Sequence, residues 1–350
     1  MVDPQQRDRQ LVQRRLEPDL HGRCRRTGDD SFPDPPYTTL DTTPPSREKP
    51  YLFVDDRGRY QVRVPTARRD TRGVSWATGR APGRTIPIRD FHIARPGDSV
   101  QTINRELARG KHLLLTPPGR YDIARSIEIR RPDTVVLGLG HATLTAVEGA
   151  TPLNVAGVPG VVVAGVTIDA GLHESPVLLR VGNRHGRHHN TPQNPITLSD
   201  VYFRVGGPHI GRIHTALEVN ADDVLIDHTW VWRGEHGTTI LYQNELPYDP
   251  PTQADWMKGE VQGWAGYKVN DRVRHHTLHG GGVYVYNRNN PSIHTENGFE
   301  VPDRPGVQFH RVMTVNLNAG TIDHVVDGIG AAADTTRVGQ PVYLTRYPVD

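Results

Sequence analysis

A chain of 350 residues has room for one large domain or two small ones, with a sizeable core in either case. Gly 35 and Pro 29 run high while Met 3 and Phe 6 run low, a usage that suits many short strands joined by turns better than helices. The 41 basic and 39 acidic residues nearly cancel, which argues against a nucleic-acid or anionic-membrane partner and fits a neutral substrate. The single Cys24 excludes an internal disulfide framework and a Cys-rich zinc site. No apolar run approaches membrane-spanning length and no charged-then-apolar leader opens the chain, so as written it is expected to be soluble and to lack an export signal.

Residues 1–30 carry seven Arg and hardly any apolar side chain, the pattern of a disordered mixed-charge tail. Residues 31–97 form a linker and hairpin region. The prolines at 33, 35, 36, 44 and 45 make its first part extended. Tyr51–Val54, the turn residues Asp55–Gly58 and Tyr60–Val64 then predict a β-hairpin. Val74, Ser75 and Trp76 lead into a Gly/Pro loop, and Phe91-His92-Ile93 is a short strand. The spacing of Val100, Ile103, Asn104 and Leu107 predicts one helix over 98–110, capped by Asp98 or Ser99 and ended by Gly110.

From Leu113 onward very short apolar strands follow one another with Gly, Asn or Asp between them and no helices. Parallel strands ordinarily need helical crossovers, but a solenoid escapes that need because each coil stacks on the last. The expectation for 98–350 is therefore an all-β, right-handed parallel β-helix of the pectin-lyase-like kind, with coils over 111–340 and the helix covering one open end. A β-sandwich, the rival fold, would want longer alternating strands and hairpin turns.

The stretch TTILYQNELPYD, 238–249, begins as a strand and runs into Gln243, Asn244 and Glu245. Two readings stand on these residues alone: a strand entering a Pro turn with Glu245 solvated, or a carboxylic acid placed at a strand end as a proton donor. His185, His188 and His189 offer metal-ligating atoms without a carboxylate at ligand spacing and are read as a solvated loop. His275, His276 and His279 are read as a loop preceding Gly280–Gly282, too bare a run for a phosphate site. Asp222, Asp223 and Asp227 fall at coil corners, where Asp serves turns as readily as it serves calcium. Trp256 and Trp264 fit either a cleft lining or buried packing. No metal and no cofactor is expected.

SFPDPPYTTLDTTPPSREKPYLFVDD, RPDTVVLGLGHATL, IDHTWVWR, YQNELPYD, GYKVND, NGFEVP, PGVQFH and DHVVDGIGA together resemble the bacterial branch of glycoside hydrolase family 55, the exo-β-1,3-glucanases (laminarinases) of actinomycetes. The resemblance covers about residues 31–350. It implies two tandem β-helices in the relatives, of which this chain resembles the linker and the second. It also implies an inverting hydrolysis of β-1,3-glucan from non-reducing ends, with acid and water on opposite sides of the sugar and about 6.5–9.5 Å between the flanking groups in typical inverting sites. By motif position Glu245 matches the general acid, Tyr248 a tyrosine beside it, and Trp232 a sugar-stacking tryptophan. Glu235 falls where the family carries an Asp that binds sugar hydroxyls, here with one more methylene.

Two departures accompany the resemblance. Relatives hold roughly forty more residues, about two coils, between the motifs that here meet at Gly237 and Thr238, and with them a second acidic residue that assists the first. The first β-helix, which positions the attacking water, is absent; one codon set for residues 1–30, read one base later, spells part of it. The chain is thus expected to be a truncated copy with weak or no hydrolysis. The rivals are a non-catalytic β-glucan-binding or structural β-helix, and a pectin-lyase-fold lyase or epimerase. The family is extracellular, whereas this chain as written would stay in the cytoplasm. The oligomeric state is left open.

Overall fold

The computed structural model describes residues 42–72, 75, 79–117, 119–183, 190–206, 209, 211–227, 235–247 and 250–348. The expectations for the tail, for most of the Pro-rich linker and for His185, His188 and His189 lie outside them. In chain order the first elements are β1 (Tyr51–Val54), β2 (Tyr60–Pro65), β3 (Gly83–Pro87), β4 (Phe91–Ala94), α1 (Val100–Ala108), β5 (His112–Leu115), β6 (Arg120–Ile123), β7 (Ile127–Ile129) and β8 (Val135–Ala146). Next come β9 (Leu153–Val155), β10 (Val162–Asp169), β11 (Ser175–Val181), β12 (Ile196–Arg204), β13 (Ile213–Val219), β14 (Val224–Asp227) and β15 (Gly237–Glu245). The last are β16 (Met257–Lys258), β17 (Val261–Gln262), β18 (Tyr267–Lys268), β19 (His276–Val285), β20 (His294–Glu300), β21 (Val307–Asn316), β22 (Thr321–Val326) and β23 (Val342–Tyr347).

The solenoid is as expected. One long sheet runs β4-β5-β8-β10-β12-β14-β15-β19-β21-β23, with β6 also on β8. Its pairs are parallel except the last, where β23 returns antiparallel to β21. Strand β4, upstream of the helix, is already its first rung. A second wall is split into β7-β9-β11-β13 and β18-β20-β22.

Register stacks like on like. Val136, Val163, Leu198, Ile226, Thr239, Leu278 and Phe309 form one continuous inward ladder. All of them are buried. A stacked bend then reverses the pattern: Gly165, Asp200, Gly280 and Arg311 occupy equivalent bulged positions, each with φ between +50° and +73°. Gly and Asp enter that left-handed region readily. Beyond the bend the inward ladder resumes as Ala142, Val166, Val201, Tyr242, Gly281 and Val312.

The helix α1 closes the first end. Ser99 caps it, its hydroxyl accepting from the Thr102 amide, and Ile103 and Leu107 are buried. Asn104 binds the Ser126 carbonyl and the Glu128 amide, which ties the helix to β7. The hairpin β1–β2 forms as predicted. The Gly/Pro loop expected after it contains β3, which pairs with β2 because Ile86 is buried in the sheet interface. Val62, Val64 and Ile86 pack on Phe91, Leu114, Leu137 and Ala164, so this small sheet covers the outer face of the first rungs.

One step is short. Paired positions in successive rungs lie 35 residues apart from Val162 to Thr197 and 39 from Gly237 to His276, but only 13 from Leu225 to Thr238. Thirteen residues leave no length for a strand on the second wall, and that wall is split there, between β13 and β18. The junction expected to lack about two coils is thus a physical discontinuity.

A Cβ at Gly165 would lie 2.6 Å from the Gly138 carbonyl oxygen in addition to the positive-φ strain. Gly165→Ala should therefore cost about 2 kcal/mol or more. Gly58→Ala, at a similar φ with nothing within 4 Å, should cost only the strain, about 1 kcal/mol. Thermal unfolding of the two variants checks the difference.

Candidate active site

Glu245 ends β15 on the outer face of the long sheet and is exposed. Its neighbours in sequence fix it there. Tyr242 points inward and donates to the Gly266 carbonyl at 2.9 Å, and Leu246 is buried in the lumen. The Leu246 amide donates to the Tyr284 carbonyl at 2.8 Å, carrying the rung pairing one residue past the acid. Asn244 donates to the Glu245 carbonyl oxygen at 2.8 Å. The side-chain amide of Gln243, on the same outer face, reaches Oε1 of Glu245 at 3.4 Å.

On the next rung Tyr284 is the register partner of Glu245, and Gly282 that of Gln243. Burial, then the neighbouring Tyr343 phenol, then the Glu245 carboxylate push the Tyr284 hydroxyl above the usual range for tyrosine. The chain-order reading missed Tyr284. The available signal was alternation: Val283 and Val285 turn inward, so Tyr284 between them faces out.

Glu235 sits before the other end of β15, up to about 30 Å from Glu245 along an extended chain. Its carboxylate accepts from the Arg274 amide at 2.9 and 3.0 Å and from the His275 amide at 2.9 Å. The Glu235 amide in turn donates to Asp222 at 2.9 Å, and His236 stacks on His275 at 4.8 Å. Glu235 therefore clips the short coil to the following one. Trp232 and Tyr248 lie outside the described residues. Trp264 is half exposed, whereas Trp256 packs against the core and donates to Thr295 at 2.8 Å.

Of the histidines read as a loop, His275 lies just before β19, whereas His276 and His279 are part of that strand, which corrects the reading for those two. His276 is fully inside the lumen, where the Tyr267 hydroxyl bridges its Nε2 and the Thr239 hydroxyl at 2.7 Å each. That polar chain lets a histidine enter a core. His279 lies outward and stacks on His310 at 4.9 Å. Burial lowers His276 to about 3; burial, helped by His310, lowers His279 to about 4.

Below pH 6.5 the unfolded chain takes up a proton at His276 that the folded chain refuses until about pH 3, so stability present above pH 6.5 is lost progressively between those values. His112, lowered to about 4, acts with the same sign. Between pH 7.5 and 5 the His276 contribution falls by roughly 2 kcal/mol. His276→Gln should be less stable at pH 7.5 but show a shallower fall of melting midpoint with acid.

Residues 91–287 match the family model of the LAM55 pectate lyase-like domain. An exo-β-1,3-glucanase of Streptomyces sp. (strain SirexAA-E / ActE) is 41% identical over 358 residues, covering 89% of this chain and 59% of that enzyme. The structure of sacteLam55A from Streptomyces sp. SirexAA-E superposes with a TM-score of 0.79 at 38% identity, over 91% of this chain and 65% of that one. A Glu-to-Ala variant of sacteLam55A in complex with glucose gives a TM-score of 0.77 at the same identity and coverage. The chain thus spans less than two thirds of these relatives. With more than half its length matched and a long sheet of stacked parallel rungs, this chain belongs to the LAM55 pectate lyase-like family.

Proposed function

We propose that the chain acts on β-1,3-glucan as an inverting, exo-acting glycoside hydrolase with Glu245 as proton donor. The observation that carries this reading is the placement of Glu245. It is a carboxyl group on the open outer face of the sheet, fixed by inward anchors on both sides. The similarity to an exo-β-1,3-glucanase supports the substrate class, and the glucose complex of a structural relative supports a sugar ligand.

In this reaction Glu245 gives its proton to the glycosidic oxygen as the bond from the anomeric carbon breaks. A water adds to that carbon from the opposite face and yields its proton to a base, so the product anomer is inverted. Trp232 and Tyr248 are proposed sugar contacts. Glu235 contributes by holding the coil junction through the Arg274 and His275 amides. Turnover is slow. The carboxyl is exposed, and among the described residues Gln243 is its one side-chain hydrogen-bond partner, so water competes for it and few groups hold it in one rotamer. Glucan of this kind is met outside the cell, and we place the protein's work there.

Laminarin incubated with the purified chain should release glucose slowly, with inversion visible by NMR of the fresh product. Glu245→Gln should lower the rate at least about 100-fold. Release that survives the substitution would sink the assignment of Glu245, and glucan binding without release by the parent would leave a glucan-binding β-helix.

A further inference from the structure

At Gly282 it is space rather than backbone conformation that favours glycine, for the residue lies outside the positive-φ region. A Cβ there would sit 3.0 Å from Cε2 of Tyr284, 3.2 Å from its hydroxyl oxygen and 3.0 Å from the Met313 methyl. The tip of the Tyr284 ring therefore leans back along its own strand toward the outer side of Gly282. Register surrounds it with a defined set of groups. Gln243 pairs with Gly282 on one side and Met313 on the other; Glu245 pairs with Tyr284, and Tyr343 with Met313. The phenol is half-buried, with the sheet beneath it, and the acid is on the adjacent rung about 4.8 Å away by strand spacing. The effect of the Glu245 charge on the Tyr284 hydroxyl agrees with that closeness.

A glucosyl ring has axial C–H groups on its faces and hydroxyls at its rim, so it pairs with a flat aromatic surface flanked by polar side chains. We propose that Tyr284, whose ring tip leans over Gly282, is the floor on which a glucosyl unit of the glucan stacks beside Glu245. The inference rests on the hydrolase reading above and adds a substrate-binding residue to it. Gln243 and Glu245 face the rim of the sugar, and Met313 backs the ring. A stacking contact of this kind forms in the ground state as well as in the transition state, so its loss raises KM with little change in kcat.

The test is binding of laminarihexaose, a β-1,3-linked glucose hexasaccharide, to the full chain carrying Glu245→Gln so that the probe stays intact. Tyr284→Ala should weaken binding about tenfold, while Tyr284→Phe, which keeps the ring, should stay within about twofold. Gly282→Ala should also weaken binding, because its methyl group displaces the ring. Unchanged affinity in Tyr284→Ala overturns the inference, as does an equal loss in Tyr284→Phe, which would assign the contact to the hydroxyl. If Tyr284→Ala lowers the melting midpoint sharply, Gly282→Ala decides, and parental affinity in that variant overturns the inference. These failures leave the hydrolase reading standing, whereas no binding by the Glu245→Gln parent overturns both.

Discussion

Everything in this molecule depends on each coil bringing its strand back in register above the one before. With a side-chain period of two, a slip of one residue would turn the whole inward ladder from Val136 to Phe309 outward. The stacked bend at Gly165, Asp200, Gly280 and Arg311 makes that register hard to lose. In these four rungs one left-handed residue, at an equivalent position, marks where the pleat changes phase. The bend also sets the site: it turns the second half of β15 so that Tyr242 and Leu246 enter the lumen while Gln243 and Glu245 face out.

The lumen changes character along its length, and the site lies where it does so. The first rungs are filled with Val, Ile and Leu. From β15 onward Tyr242, Tyr267, Phe299, Phe309 and Tyr347 take over, with edge-on contacts such as Tyr242–Tyr267 at 5.0 Å and Tyr267–Phe309 at 5.5 Å. Larger rings need smaller partners, which Gly281 supplies opposite Tyr242, its missing Cβ leaving room for Leu278 and Phe299. Rings carrying hydroxyls also need acceptors inside the core, and Thr239, His276 and the Gly266 carbonyl provide them. The strand that presents Glu245 is anchored in this aromatic, hydrogen-bonded part, which is more directional than an aliphatic core.

The fold was legible because its determinants are local and repeated. Val161–Val163 with Val166–Ile168, separated by Ala164-Gly165, is a rung with its bend, and Ser99 before Val100 is a helix start. The run from His275 to Gly282 was not legible, because its residues act for unrelated reasons. His276 is a core residue made tolerable by Tyr267. Gly280 is left-handed, Gly281 makes room for Phe299, and Gly282 makes room for Tyr284. A polar, glycine-rich run reads as a loop when those long-range partners are out of view. Glu235 is a different case. Position in a motif pointed to a sugar contact, and the structure adds that its carboxylate accepts from amides 39 and 40 residues further on, a relation that only the coil geometry creates.

The short step between β14 and β15 bears on chemistry as well as fold. Elsewhere a coil crosses both walls before returning, so the groups beside a given residue come from a full turn above and a full turn below. At Leu225 to Thr238 the chain returns after 13 residues, and among the described residues that step brings no strand on the second wall. Glu245 then has the rung β19 on one side, with Tyr284 and Gly282 as its near groups. A proton donor in an inverting hydrolysis must be held against the leaving oxygen while water is kept to the opposite face. Under the proposed reading, Tyr284 and Gly282 of β19 would give the sugar a packed surface beside Glu245.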